Sequence, residues 1–322
     1  MMNNTEKAVL RFVKEWTLPI SMIAGASSYF MWKAIPGHEA WSGVVNSTIA
    51  WVQPVLIFCM LLVSFCKVKI SEFTLKWWHL WLCLFQVGMF VILAMVACLE
   101  INHNLKVVVE CGMLCFICPT ATAAAVVTSR LGGNQASIVS YTIIINVVTS
   151  LAVPIVLPHV YNQNGMDFLP ALWAILVKVF PLLICPLFVS CLIRKFLPRL
   201  NATIVSYKNL AFYLWAVSLS LAIAVSAKSL VHSTVSGWCQ LGMAVITFAA
   251  CLVQFAFGKR IGSREGERIS GGQACGQKNT VFAIWLGYTF LEPVTALAGG
   301  FYSIWHNMIN SYQLYRKEHP KK

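Results

Sequence analysis

Charge is what this sequence has least of. Only 11% of its 322 residues are Asp, Glu, Lys or Arg, against about 25% in an ordinary soluble domain. With 58% hydrophobic residues, the chain carries too much apolar surface for a soluble enzyme. Gly-rich phosphate loops, nucleophile elbows and paired carboxylates are also missing, which removes the usual patterns of nucleotide-binding and hydrolytic proteins. Of the seven histidines, only His79 and His306 fall near or within apolar runs. Neither has a partner at ligand spacing, so no metal set and no cofactor is read. No small-residue cleavage site follows the N-terminal apolar run, which reaches about Ala34, so that run reads as a first span rather than a signal.

What the sequence does have is apolar length. A membrane span needs about 20 predominantly apolar residues, and ten segments qualify: 16–34, 46–66, 77–98, 107–130, 135–157, 170–193, 209–229, 236–258, 270–290 and 293–314. The connections leave no room for a soluble domain, so residues 1–322 form one transmembrane unit. The twelve cysteines lie almost entirely inside these segments, where they act as small apolar packing residues in a reducing or lipid-buried setting rather than as disulfides. The net charge of +13 raises nucleic acid as a partner, but the basic residues sit between apolar runs. With the N-terminus inside, nineteen of the 24 Lys and Arg fall in inner regions: Lys7 to Lys14, Lys67 to Lys76, Arg130, Arg194 to Lys208, Lys259 to Arg268 and Arg316 to Lys322. Both termini are therefore expected in the cytoplasm. The charge serves topology and anionic membrane lipid, which excludes nucleic acid.

Ten spans with both ends inside make the first and last five opposite in orientation, the inverted-repeat arrangement of many secondary transporters. The fourth segment of each half is irregular, at Cys118-Pro119-Thr120-Ala121-Thr122 and at Gly276-Gln277-Lys278-Asn279-Thr280. Matching breaks point to a binding site at the midplane. Lys278 is the anomaly, because a cation at the centre of a spanning helix costs roughly 2.5–3.5 kcal/mol on insertion scales. Gly271, Gly272 and Gly276 are expected to weaken the helix there. Glu110 is the one acid placed within a span; it either receives protons or pairs with Lys278, or pairs with Lys106 at helical spacing. Lys178 attracts an anion or snorkels outward. Cys111, Cys115 and Cys118 share a helical face, read as packing rather than soft-metal handling. Trp77, Trp78 and Trp81 read as an interfacial aromatic belt.

At Cys118-Pro119-Thr-Ala-Thr-Ala-Ala-Ala, Leu131-Gly-Gly-Asn134, Gly276-Gln-Lys-Asn279, Pro293-Val-Thr-Ala-Leu and Ser303-Ile-Trp-His-Asn307, the chain resembles the bile acid:sodium symporter family. The resemblance implies an all-α membrane protein of ten transmembrane helices in two five-helix inverted repeats, with broken spans 4 and 9 crossing. It implies a panel of spans 1, 2, 6 and 7 (about 16–66 and 170–229) against a core of spans 3–5 and 8–10 (about 77–157 and 236–314), and a bacterial inner membrane. Thr122 and Asn279 fall where the family touches substrate, and the adjoining Thr120 and Thr280 join the candidate set. The family's sodium ligands are mostly replaced. Ala124-Ala125 stand for a Ser-Asn pair, Ile138 for a serine and Ala274 for a shared glutamate. Lys278 stands for a glutamine, Thr142 is retained, Gln86 is a looser match, and Gln277 adjoins the set.

Sodium needs several hard oxygen ligands, so a site without its carboxylate should bind it poorly. One carboxylate with two sodium ions has a charge of about +1, and so does one ammonium alone. The reading is therefore a transporter of a small organic anion, sodium-independent, with Lys278 in place of an ion. A lysine that exchanges its proton would couple transport to protons; one that keeps it would serve a uniporter or exchanger. Two alternatives stay open: sodium coupling through rearranged ligands such as Gln273, Gln277 and Thr142, and a transport-inactive membrane receptor. An enzyme is not expected.

Overall fold

A computed structural model describes residues 4–68, 73–99, 101–160, 166–207 and 209–319, with side chains from residue 19 onward. The side chains of Lys7, Arg11 and Lys14, and all of Lys69, Lys208, Lys321 and Lys322, lie outside the described residues. The described chain is helical throughout: α1 (Asn4–Ala34), α2 (Glu39–Cys66), α3 (Trp77–Ala97), α4 (His103–Ile117), α5 (Ala124–Leu131), α6 (Gln135–Val160), α7 (Phe168–Phe196), α8 (Pro198–Ser206), α9 (Leu210–Val231), α10 (Gly237–Ser263), α11 (Arg268–Gly276), α12 (Thr280–Phe290) and α13 (Leu297–Glu318). A 3-10 turn at Pro293–Ala296 precedes α13. Among the described residues, six helices (α2, α3, α6, α7, α9 and α10) are long and apolar enough to cross a membrane. The protein is an integral membrane protein.

The fourth and ninth predicted segments each split in two. Pro119 disfavours helical backbone in the residue before it, and Cys118 accordingly turns extended, at φ −56° and ψ 134°, ending α4. In the second break Gln277 is extended, at φ −95° and ψ 99°. The chain becomes helical again where the Asn279 side chain caps α12.

Helix α11 ends at Gly276, where the break is expected, and the glycines beside it also have a packing role. Gly271 and Gly272 lie inside α11, and positive φ is confined to Gly37, Gly132 and Gly266 among the described glycines. Their role is close approach. A Cβ on Gly271 would run into the Gly258 carbonyl of α10, and one on Gly258 into the Gly271 carbonyl. One on Gly272 would lie 2.6 Å from Lys259 Cγ, and one on Gly276 would strike the Phe255 ring. Small residues let the backbones of α10 and α11 meet, the device membrane helices use where burial of apolar surface offers no drive.

Helices α1 and α2 pack on α9, and α2 also on α7. Helix α3 packs on α4 and α6, and α10 on α4, α11 and α13; α6–α7 and α9–α12 contacts join the two sets. Basic residues assigned to inner regions meet at one end of the bundle. There Arg194 donates to the Phe65 carbonyl (3.0 Å), Lys317 donates to that of Arg130 (2.7 Å), and Lys76 lies 3.9 Å from Glu267. At the other end Lys106 reaches the Val160 carbonyl (3.2 Å) and Lys228 the Asn46 side chain (2.6 Å). The tryptophan belt is only partly as expected. Trp77 and Trp81 are exposed, but Trp78 is fully buried against His79 and Tyr141, since neighbours on a helix point about 100° apart.

Replacing Gly271 with Val should lower stability by roughly 1–3 kcal/mol through overpacking, read as a drop in melting temperature in detergent. Gly43→Ala, where an added Cβ meets nothing within 4 Å, should not lower it.

Candidate functional site

The two breaks meet each other. Ala121 N donates to the Gln277 carbonyl and Asn279 N to the Pro119 carbonyl, both at 2.8 Å, so that Thr120 and Lys278 form a two-residue antiparallel bridge. In a bilayer an unsatisfied backbone group costs several kcal/mol, and here each interruption supplies the other's missing partners. The carbonyls at the end of a helix have no partner within it, and side chains take them up one by one. On α4, the Cys115 oxygen accepts from Gln254 Nε2 (3.2 Å), that of Phe116 from Lys278 Nζ (3.3 Å) and that of Ile117 from Thr149 Oγ1 (2.9 Å). On α11, the Ala274 oxygen accepts from Thr120 Oγ1 (2.7 Å) and that of Gly276 from the Tyr302 hydroxyl (2.9 Å).

Lys278 is 1% exposed. Its ammonium donates to Gln86 Oε1 as well as to Phe116, and Gln86 Nε2 in turn donates to the Tyr141 hydroxyl. The thiols of Cys83, Cys115, Cys118 and Cys275 lie around it. The acceptors it finds are neutral dipoles, one of them at the negative end of α4, where a cation is favoured. Glu110 does not pair with it: that carboxyl is buried about two turns up α4, with Oε2 unpartnered. Nor does it pair with Lys106, which is turned to Val160. Lys178 is exposed, its ammonium 5.6 Å from the Phe290 ring centroid.

Three of the residues that the resemblance set at ion-ligand positions come together as an apolar cluster. Ala124, Ile138 and Ala274 are buried with Trp78, Leu82 and Tyr141, and Ala125 packs against them. Thr142 spends its hydroxyl on the Ile138 carbonyl of its own helix, at 2.9 Å. Gln277 is buried with Oε1 unpartnered, and Gln273 donates to Asn310 Oδ1 at 2.9 Å while its own Oε1 is unpartnered.

The candidate substrate residues divide. Thr120 is fully buried and its hydroxyl is committed to Ala274, so it holds the crossing together. Thr122 is half-buried just before α5, and Thr280 is buried at the first position of α12. Asn279 Oδ1 accepts from Phe282 N (3.2 Å), which leaves Nδ2 a buried donor without a partner. The N-termini of α5 and α12, the positive ends of their dipoles, both start at this point.

Gln254, Thr149, Tyr302 and Tyr141 were not singled out in the sequence. Gln254 and Thr149 carried a usable signal, as polar groups inside apolar runs; Tyr141 and Tyr302 carried none. All twelve cysteines are unpaired. Among the described residues no group of three His, Cys, Asp or Glu side chains is placed to hold a metal ion.

A family model described as the SBF-like CPA transporter family matches residues 22–300. That stretch takes in both breaks; the Ser303 to Asn307 motif lies beyond it. No curated protein matches the chain.

Lys278→Met should leave Gln86 Oε1 and the Phe116 carbonyl unpaired and cost about 1–3 kcal/mol for each buried acceptor so stranded. Adding Gln86→Leu should recover part of that loss in thermal melts, because removing both partners is cheaper than removing one.

Proposed function

The chain belongs to the SBF-like CPA transporter family, a family of membrane transporters, and from that premise we propose that it is a secondary transporter of a small organic anion that works without sodium. The observation that carries this reading is the buried ammonium of Lys278 at the crossing of two broken helices. A fixed cation beside two positive helix ends supplies the field that an anion needs. The unpartnered Asn279 amide, with Thr122 and Thr280, supplies donors for its oxygens. Metabolites with carboxylate or sulfonate groups suit such a site.

The proposed architecture has ten spans in two inverted repeats, α1 to α6 and α7 to α13. The pairing of the break in the fourth span with that in the ninth supports it. Helices α1, α2, α7, α8 and α9 would form the panel and the remainder the core, in line with which helices pack together. Rocking of the core against the panel would open the crossing to each side in turn. The reading has both termini on the cytoplasmic side of a bacterial inner membrane; the basic residues gathered at one end of the bundle support that orientation.

In this reading Lys278 takes over the electrostatic role of bound sodium. The closing of Ala124, Ile138 and Ala274 into an apolar cluster supports that role, since these side chains offer a sodium ion no oxygen. A second reading, sodium coupling through rearranged ligands, draws on the unpartnered Oε1 atoms of Gln273 and Gln277.

Anion uptake into proteoliposomes should persist at an unchanged rate when choline replaces sodium; loss of uptake in choline would favour the second reading. The double variant Lys278→Gln, Ala274→Glu restores a carboxylate and removes the ammonium. It should show uptake that rises with sodium concentration.

A further inference from the structure

Helices α10, α11 and α13 meet at the basic end of the bundle around two adjoining cavities of about 700 and 490 Å³. Lys259, Arg268, Tyr312 and Gln313 line both, which makes them one groove. Its lining changes character along its length. Leu252, Phe255 and Ile309 form one part, Arg260 joins Lys259 and Arg268 in the middle, and Arg316 and Lys317 close the other end. The apolar part runs out onto exposed apolar side chains, Phe248 and Leu252 of α10 and Met308 of α13, a surface that faces lipid in a membrane protein.

The cations in the groove lack counter-charges. Among the described residues, Lys259, Arg260, Arg268 and Arg316 make no side-chain hydrogen bond or ion pair. Lys317 is engaged, but with a neutral carbonyl. Two nearby carboxylates are turned to other groups through one oxygen each, and Glu267 Oε2 is buried without a partner. Glu265 accepts from Trp78 N at 3.0 Å, and Glu267 accepts from Asn134 Nδ2 at 3.1 Å and lies 3.9 Å from Lys76. Lys259 is also positioned rather than loose, because its alkyl stem lies over Gly272, where a Cβ would displace it. Like charges held close together without an anion repel one another, and a phosphate placed among them would relieve that repulsion with charge-assisted hydrogen bonds.

We infer that this groove is a binding site for one anionic phospholipid. Its phosphate headgroup sits among Lys259, Arg260, Arg268 and Arg316, and an acyl chain lies along Leu252, Phe255 and Ile309. A lipid matches both halves of the lining, whereas a soluble phosphate compound uses only the basic half. The site is separate from the Lys278 crossing and does not depend on which solute is carried.

The test uses the purified full-length protein in detergent and native mass spectrometry, with phosphatidylglycerol and phosphatidylcholine of the same acyl chains. The expected result is one phosphatidylglycerol retained per protein, in preference to phosphatidylcholine. With each basic residue near an anionic headgroup contributing as such residues do at membrane surfaces, Lys259→Gln with Arg268→Gln should weaken retention about thirtyfold. Lys195→Gln with Arg199→Gln, at the α7–α8 junction, should leave it unchanged. Should the groove double variant not be monodisperse, Arg316→Gln alone should weaken retention about fivefold. Equal retention of the two lipids, or equal retention by variant and native protein, overturns the proposal. So does displacement of phosphatidylglycerol by glycerol 3-phosphate at equal concentration, which would make the ligand a soluble phosphate.

Discussion

Two backbone hydrogen bonds between the 118–123 and 277–279 interruptions hold the middle of this protein together. Without water, a broken helix is tolerated only where other protein groups take up the freed donors and acceptors. Here two breaks do that for each other, and Gln254, Thr149, Thr120 and Tyr302 cap the carbonyls that remain. The rest of the local architecture depends on this exchange. Helix α10 must approach α11 closely enough for its side chains to reach the crossing, which is why glycines face one another along that contact.

Lys278 belongs to the same network. Its ammonium closes the α4 carbonyl end and reaches Gln86 on α3, so one side chain ties together three elements that are distant in sequence. A cation surrounded by dipoles rather than by a carboxylate keeps its positive field, because no counter-ion cancels it. The apolar packing of Ala124, Ile138 and Ala274 beside it gives the site a dry wall, and in a low-dielectric setting that field falls off less than it would in water.

A second distribution of charge lies at the end of the bundle. Some basic residues there cap helix ends or pair with Glu267, while Lys259, Arg260, Arg268 and Arg316 around the α10–α11–α13 groove have no side-chain partner among the described residues. The close glycine contact that seats α11 on α10 also gives Lys259 its place over Gly272. Packing at the crossing and charge at the basic end are thus built on the same helix pair.

Much of this was legible from the sequence. The apolar runs, the family, the two breaks and the burden of Lys278 all follow from local chemistry: hydropathy, the restriction that Pro119 places on Cys118, and the cost of a charge in hydrocarbon. What could not be read were the partners. The resemblance set Gln86 in the same site as Lys278, but the hydroxyl of Tyr141 and the carbonyl of Phe116 lie far from Lys278 in sequence, and only the folding of α3, α4 and α6 around the crossing brings them there. For the same reason Gly271 and Gly272 looked like helix breakers and proved to be contact points, since a glycine's meaning depends on what its missing Cβ would have touched. The sequence by itself determined a membrane transporter chain with two interrupted helices and one buried cation. Tertiary structure alone decided that the interruptions pair and that the cation is held by neutral dipoles, because both depend on contacts between residues more than a hundred positions apart.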